Sequence, residues 1–167
     1  MAIILGIDPG SQFTGFGVIE TQGDRIRHVT HGVIAPPLKL EFNERIAIIS
    51  REFDALISRI KPHTTVVEKI FLGKNPDSAF KLGHARGIVV ASAIRADSAV
   101  VEYAARSVKK GITGNGASTK DQVQLLLFSA LGLKGRVQVD ASDALALAYH
   151  HARFISYDHG SRRELQL

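Results

Sequence analysis

A chain of 167 residues with 45% hydrophobic and 22% charged side chains has the size and balance of one folded domain, which excludes a disordered or multidomain reading. The absence of cysteine excludes a disulfide framework, a thiol nucleophile and any cysteine-held zinc or iron–sulfur centre. No apolar run is long enough to span a bilayer, and Met1 to Asp8 lacks the basic region and cleavage site of a signal peptide, so a soluble, cytoplasmic protein is expected.

The elements follow in order. Residues 2–8 are an apolar run stopped by Asp8-Pro9-Gly10, which predicts a buried strand. Phe13 to Thr21 is a second strand, in which Gly15 and Gly17 signal bulges or close backbone approach. A turn at Gln22-Gly23-Asp24 leads to a third strand, Arg25 to Ala35, and completes an antiparallel meander. Phe42, Ile46, Ile49, Phe53, Leu56 and Ile60 recur at helical spacing, and Pro62 ends that helix. Thr64 to Glu68 is a β-branched strand, so the helix before it is a crossover and the strand pairs in parallel. Residues 77–95 are helical, with a small-residue stripe at Ala79, Gly83 and Gly87. Ala99 to Glu102 is a fifth strand, and a short basic helix covers Arg106 to Lys110. After a loop from Gly111 to Ala117, Ser118-x-x-Asp121 resembles a capping box for a helix through Leu131. An alanine-rich helix over Ala141 to Phe154 closes the domain, residues 1–155, and residues 156–167 read as a polar tail. The expected fold class is α/β: a five-stranded mixed sheet, three strands antiparallel and then parallel ones, flanked by helices.

The net charge of +5 is unevenly placed. Residues 1–60 hold six basic and seven acidic side chains, whereas Lys69 to Lys120 holds nine basic ones against Asp77, Asp97 and Glu102. Such a stretch is the footprint of a polyanion, although a solvated helix face produces the same count.

Four acids stand where acids are expensive. Asp8 and Glu68 end apolar strands, at the sheet edge where α/β proteins bind ligands. Asp140 and Asp143 lie on one face at the start of the last helix. Capping accounts for Asp140 and Asp143 taken alone, and a turn accounts for Asp8. Four acids from three elements at one edge need a cation. Hard oxygen ligands select Mg²⁺ or Mn²⁺, and the set suits a two-metal phosphoryl-transfer site with ions roughly 3.5–4 Å apart.

Gly6-Ile7-Asp8-Pro9-Gly10-Ser11, Val67-Glu68-Lys69-Ile70-Phe71 and Asp140-Ala141-Ser142-Asp143-Ala144-Leu145-Ala146 together resemble the RuvC family of bacterial Holliday-junction endonucleases. Residues 74–83 and Glu102-Tyr103-Ala104-Ala105-Arg106 resemble the same family, so the likeness runs from Met1 to about Phe154. The resemblance implies a ribonuclease H-like fold. It implies a homodimer that nicks two opposing strands of a four-way DNA junction in recombination and repair, leaving 5′-phosphate and 3′-hydroxyl ends. By motif, Asp8, Glu68, Asp140 and Asp143 would be catalytic and hold two Mg²⁺ per subunit, replaceable by Mn²⁺, with Asp8 bridging. Lys109 and Lys120 match positions near the scissile phosphate, and Phe71 matches an aromatic that stacks on an unpaired base. Lys74, Lys81, Arg86, Arg106 and Lys110 complete the expected DNA contacts, and RuvA and RuvB are the implied branch-migration partners. Lys69 stands where many relatives carry Gln, and strand alternation turns it away from Glu68.

Three other readings compete. Sugar-kinase and actin-like ATPases share the superfold but need a second lobe. A nuclease trimming ribosomal RNA precursors would differ in the Phe71 loop and the Lys109/Lys120 pair. A non-catalytic junction-binding protein would lack one of the acids. His28 with His31, and His150 with His151, lack the i, i+4 spacing of a helical zinc site and read as surface or packing residues.

Overall fold

A computed structural model describes residues 1–69 and 75–164, with side-chain surroundings through residue 156. The elements are β1 (Ala2–Asp8), β2 (Thr14–Gln22), β3 (Arg25–Ile34), α1 (Phe42–Ile60), β4 (Thr64–Glu68), α2 (Pro76–Arg95), β5 (Ala99–Tyr103), α3 (Ala105–Thr113), α4 (Lys120–Leu131) and α5 (Val139–Glu164). Their order is the one expected. The sheet runs β3-β2-β1-β4-β5, with β1 antiparallel to β2 and parallel to β4. β2 and β3 pair antiparallel, and β4 and β5 pair in parallel. The helices α1 and α2 supply the crossovers that a parallel pair requires. Because β1, β4 and β5 point the same way, Asp8, Glu68 and Tyr103 emerge at one edge.

Strand alternation divides the apolar residues between two cores. Leu5, Ile7, Val18 and Val67 face α1 and α2, where Phe53 and Val89 are fully buried. Ile4, Ile19 and Val66 face the opposite way and pack with Val108, Leu127 and Leu145 of α3, α4 and α5. Each such side chain contributes about 1.5–3 kcal/mol on burial.

α5 lies against the centre of the sheet because three glycines clear its path. A Cβ on Gly6 would stand 1.9 Å from the Ala144 carbonyl oxygen, and one on Gly15 would stand 2.0 Å from that of Asp140. A Cβ on Gly17 would likewise stand 2.6 Å from Leu145 Cγ. The close approach expected at Gly15 and Gly17 is therefore made by α5. Gly6 pairs with Gly17 and Asp8 with Gly15 in the β1–β2 register, so this path leads to the Asp8 edge.

Several boundaries differ from expectation. The capping box of α4 is Thr119-x-x-Gln122, one residue later than Ser118-x-x-Asp121. The Thr119 hydroxyl accepts from the Gln122 N–H at 3.3 Å, while Gln122 Oε1 accepts from the Thr119 N–H at 3.0 Å. Ser118 is buried, with its hydroxyl 2.8 Å from Thr113 Oγ1. α3 continues to Thr113, where Gly114 at φ 81° closes it, so the expected loop begins later than Gly111. α5 runs to Glu164, well past Phe154, through residues whose polarity suggested a tail. No proline follows Pro76, and extending an existing helix is far easier than starting one. Among the described residues, no helix is long and apolar enough to cross a membrane.

Candidate active site

Asp8 projects from the last position of β1 on the α5 side, the side its neighbour Gly6 opens. The turn after it is fastened locally. The Thr14 hydroxyl donates to the Gly10 carbonyl at 2.8 Å and accepts from the Gly10 N–H at 3.3 Å. Thr14 is fully buried, so this pair holds the Asp8-Pro9-Gly10 turn against the start of β2. Glu68 ends β4 directly opposite Tyr103 of β5. Asp140 and Asp143 occupy the first turns of α5, whose seat on Gly15 brings them over the same edge.

The electrostatics bind these acids into one site. Asp8 is pushed up from 3.8 to about 7, by burial first and then by Asp143, Glu68 and Asp140, while Lys120 opposes the shift. Burial and Asp143 also raise Glu68, and Lys120 and Lys109 lower it. Carboxylates that repel one another this strongly call for a positive partner. Lys120 at the start of α4 supplies one, its Nζ donating to Asp143 Oδ2 at 2.6 Å. The hydrogen bond to Asp143 in turn raises the Lys120 pKa.

Oxygen donors of this kind suit a hard divalent cation. The acids influence one another across the site. Among the described residues, no three His, Cys, Asp or Glu side chains already surround a point that an ion could take.

Beside the acids, Val108 of α3, Val123 of α4 and Ala146 and Leu147 of α5 floor a pocket of about 100 Å³. Glu68 and Asp143 form its wall toward the acids, and Lys109, Lys120 and Ala105 form the remainder. Nothing in the sequence pattern distinguishes these aliphatic residues from those of a closed core.

Residues 4–151 match the family of crossover junction endodeoxyribonuclease RuvC. The chain belongs to the RuvC family. It is 50% identical over 150 residues to the crossover junction endodeoxyribonuclease RuvC of Bdellovibrio bacteriovorus, covering 90% of this chain and 89% of that one. The RuvC of Pseudoalteromonas translucida is 46% identical over 155 residues, covering 91% and 87%. The fold matches T. thermophilus RuvC in complex with Holliday junction substrate at a TM-score of 0.87 and 29% identity, over 95% of this chain and 97% of that one. The yeast mitochondrial Holliday junction resolvase Ydc2 aligns at a TM-score of 0.69 and 14% identity, over 93% and 80%, which supports the fold alone. The ribonuclease H-like fold and the endonuclease class expected from the motifs are thereby established.

In this RuvC-family chain the expected DNA contacts are dispersed. Lys109 and Lys120 stand at the acids. Arg106 lies along Gly116, and Lys110 is exposed on α3. Lys81 is held by Asp77 at 2.6 Å, and Arg86 is paired with Glu102, so both already have acidic partners. Phe71 and Lys74 lie outside the described residues. β4 ends at Glu68, so strand alternation does not orient Lys69; it is exposed, and its N–H donates to the Tyr103 carbonyl at 2.8 Å.

Sequence reasoning missed the contacts around Tyr103. Its hydroxyl lies 2.9 Å from Nδ1 of the buried His151, and the His150 ring meets its face edge-on at 4.5 Å. These histidines are packing residues, as expected. His28 and His31 face one another 2.8 Å apart, because the register shifts along β3 where it pairs with Val18 and Ile19.

Proposed function

We propose that this chain resolves four-way DNA junctions by metal-dependent nicking of two opposing strands, leaving 5′-phosphate and 3′-hydroxyl ends. The observation that carries the reading is the approach of Asp8, Glu68, Asp140 and Asp143 to one sheet edge, with Lys109 and Lys120 beside them. The four carboxylates would hold two Mg²⁺ per subunit, with Mn²⁺ able to replace it. Bound there, the ions supply charge that ionises the attacking water and stabilises the departing 3′ oxygen. The residues supply orientation: Asp8 and Glu68 from the rigid strand ends, Asp140 and Asp143 from the first turns of α5. Lys109 and Lys120 act as point charges on the phosphate.

Purified protein and an end-labelled mobile junction test the reading, in Mg²⁺ and in EDTA. Linear duplex and an RNA hairpin serve as controls. Paired, ligatable nicks in the junction that require metal are expected. Tight junction binding without nicks would favour an architectural role, and cleavage of the RNA alone would favour a ribosomal-precursor nuclease.

Lys120 gives a sharper prediction. Lys120→Met is expected to bind Mn²⁺ more tightly without DNA, because no ammonium then competes for Asp143. Its nicking should nevertheless slow by about a hundredfold, for want of a charge on the phosphate. Spin-resonance titration of Mn²⁺ and single-turnover cleavage report the two effects, and unchanged Mn²⁺ affinity would refute the competition.

A junction has two-fold symmetry, so paired nicks need two copies of the site. α2 offers a seam for them. Phe80 and Ile94 are 66% and 61% exposed, and nothing lies within 4 Å of a Cβ at Gly83 or Gly87 between them. Gly87→Leu should therefore yield a folded monomer in sedimentation that no longer nicks both strands together. A stable dimer of that variant would move the seam elsewhere. RuvA and RuvB follow as partners from the family resemblance, and co-purification tests them.

A further inference from the structure

We infer that the aliphatic pocket beside the acids seats a nucleobase of the cut strand, turned out of the stack; the inference rests on the junction-cutting reading above. The pocket holds about 100 Å³, and Val108, Val123, Ala146 and Leu147 give it an aliphatic side opposite the charged lining of Glu68, Lys109, Lys120 and Asp143. It is not an internal packing void, because exposed Ala105 at the first position of α3 stands at its rim.

Charge decides what can enter. Glu68 and Asp143 line the pocket as well as the acid site, so any occupant lies immediately beside the phosphate being cut. Lys109 and Lys120 stand at the same opening and are suited to that phosphate. An apolar ring joined to an anion is the chemistry of a nucleotide, with the base on the aliphatic floor and the phosphate at the lysines. Extruding a base is least costly where pairing is already broken, as at a junction crossover.

The test places 2-aminopurine singly at each position flanking the cut, with Asp8→Asn protein holding the junction uncut. The probe brightens when it leaves the stack, and aliphatic walls do not quench it. One position beside the scissile phosphate is expected to brighten. Adding Ala105→Phe, whose ring reaches into the pocket from the rim, should abolish that signal while junction affinity stays within about threefold, since phosphate contacts dominate affinity. With Asp8 intact, Ala105→Phe should slow nicking by about tenfold or more through misplacement of the strand, whereas Ala105→Ser should cut like wild type. If no position brightens, or if Ala105→Phe brightens and cuts like wild type, the pocket does not seat a base. A wild-type protein that nicks no junction would instead overturn the parent reading, and this inference with it.

Discussion

Asp8→Asn should abolish nicking and at the same time stabilise the metal-free protein. On the proposed reading Asp8 would help to hold the metal, so its loss should slow the reaction by about a thousandfold. The stability change has the opposite sign. Asp8 titrates near 3.8 when exposed and at about 7 in the fold, where burial and three other acids oppose its charge. Between those values the folded state binds more protons than the unfolded one, so wild-type stability falls as pH rises from about 4 to about 7. Above that range the whole penalty is present. Asn carries no charge, and the variant should exceed wild type by about 4 kcal/mol at pH 8, with the gap narrowing toward pH 4. Mg²⁺ should close the gap by stabilising wild type more than the variant. Thermal melts at pH 5 and pH 8, with and without Mg²⁺, measure all of this. A variant less stable than wild type at pH 8 without metal would show that the acids are not in electrostatic conflict.

Gly15→Ala is expected to damage the site without touching any acid. Its Cβ would stand 2.0 Å from the Asp140 carbonyl oxygen and 2.2 Å from the carbonyl carbon. These are backbone atoms and cannot rotate aside, so the first turn of α5 must lift from β2. Overpacking of this kind destabilises by about 3 kcal/mol. The lift also carries Asp140 and Asp143 away from Asp8, and a displacement of about 1 Å can slow catalysis by about a hundredfold. Cleavage measured well below the melting temperature, where the variant remains folded, separates the two effects. Activity at the wild-type rate under those conditions would mean that the seating of α5 on Gly15 does not position the acids.

Much of this arrangement is legible in the residues themselves. The apolar run ending in Asp8, the β-branched run ending in Glu68 and the helical period of Phe42 to Ile60 each declare a local element. The shared edge of Asp8 and Glu68 follows from the strand directions, because the meander turns β3 parallel to β1 and α1 then carries the chain over to a parallel β4. The helix ends were less legible. Both Ser118 and Thr119 can cap a helix, and the choice between them fell to Thr113, which takes the Ser118 hydroxyl. The extension of α5 to Glu164 was hidden for a related reason: polar residues report solvent exposure, not the end of a helix.

The site divides in the same way. Spacing and chemistry in the sequence by itself determined which four carboxylates to group and which family the chain resembles, since both are written in short contiguous motifs. Only the tertiary structure decided how those carboxylates meet. Lys120 reaches Asp143 from a separate helix, Gly6 and Gly15 clear the floor on which α5 lies, and α3, α4 and α5 leave an aliphatic pocket open beside Glu68. The partners in each contact stand far apart in the chain. Their distance is set by how closely backbones pack, a quantity that no local pattern of residues encodes.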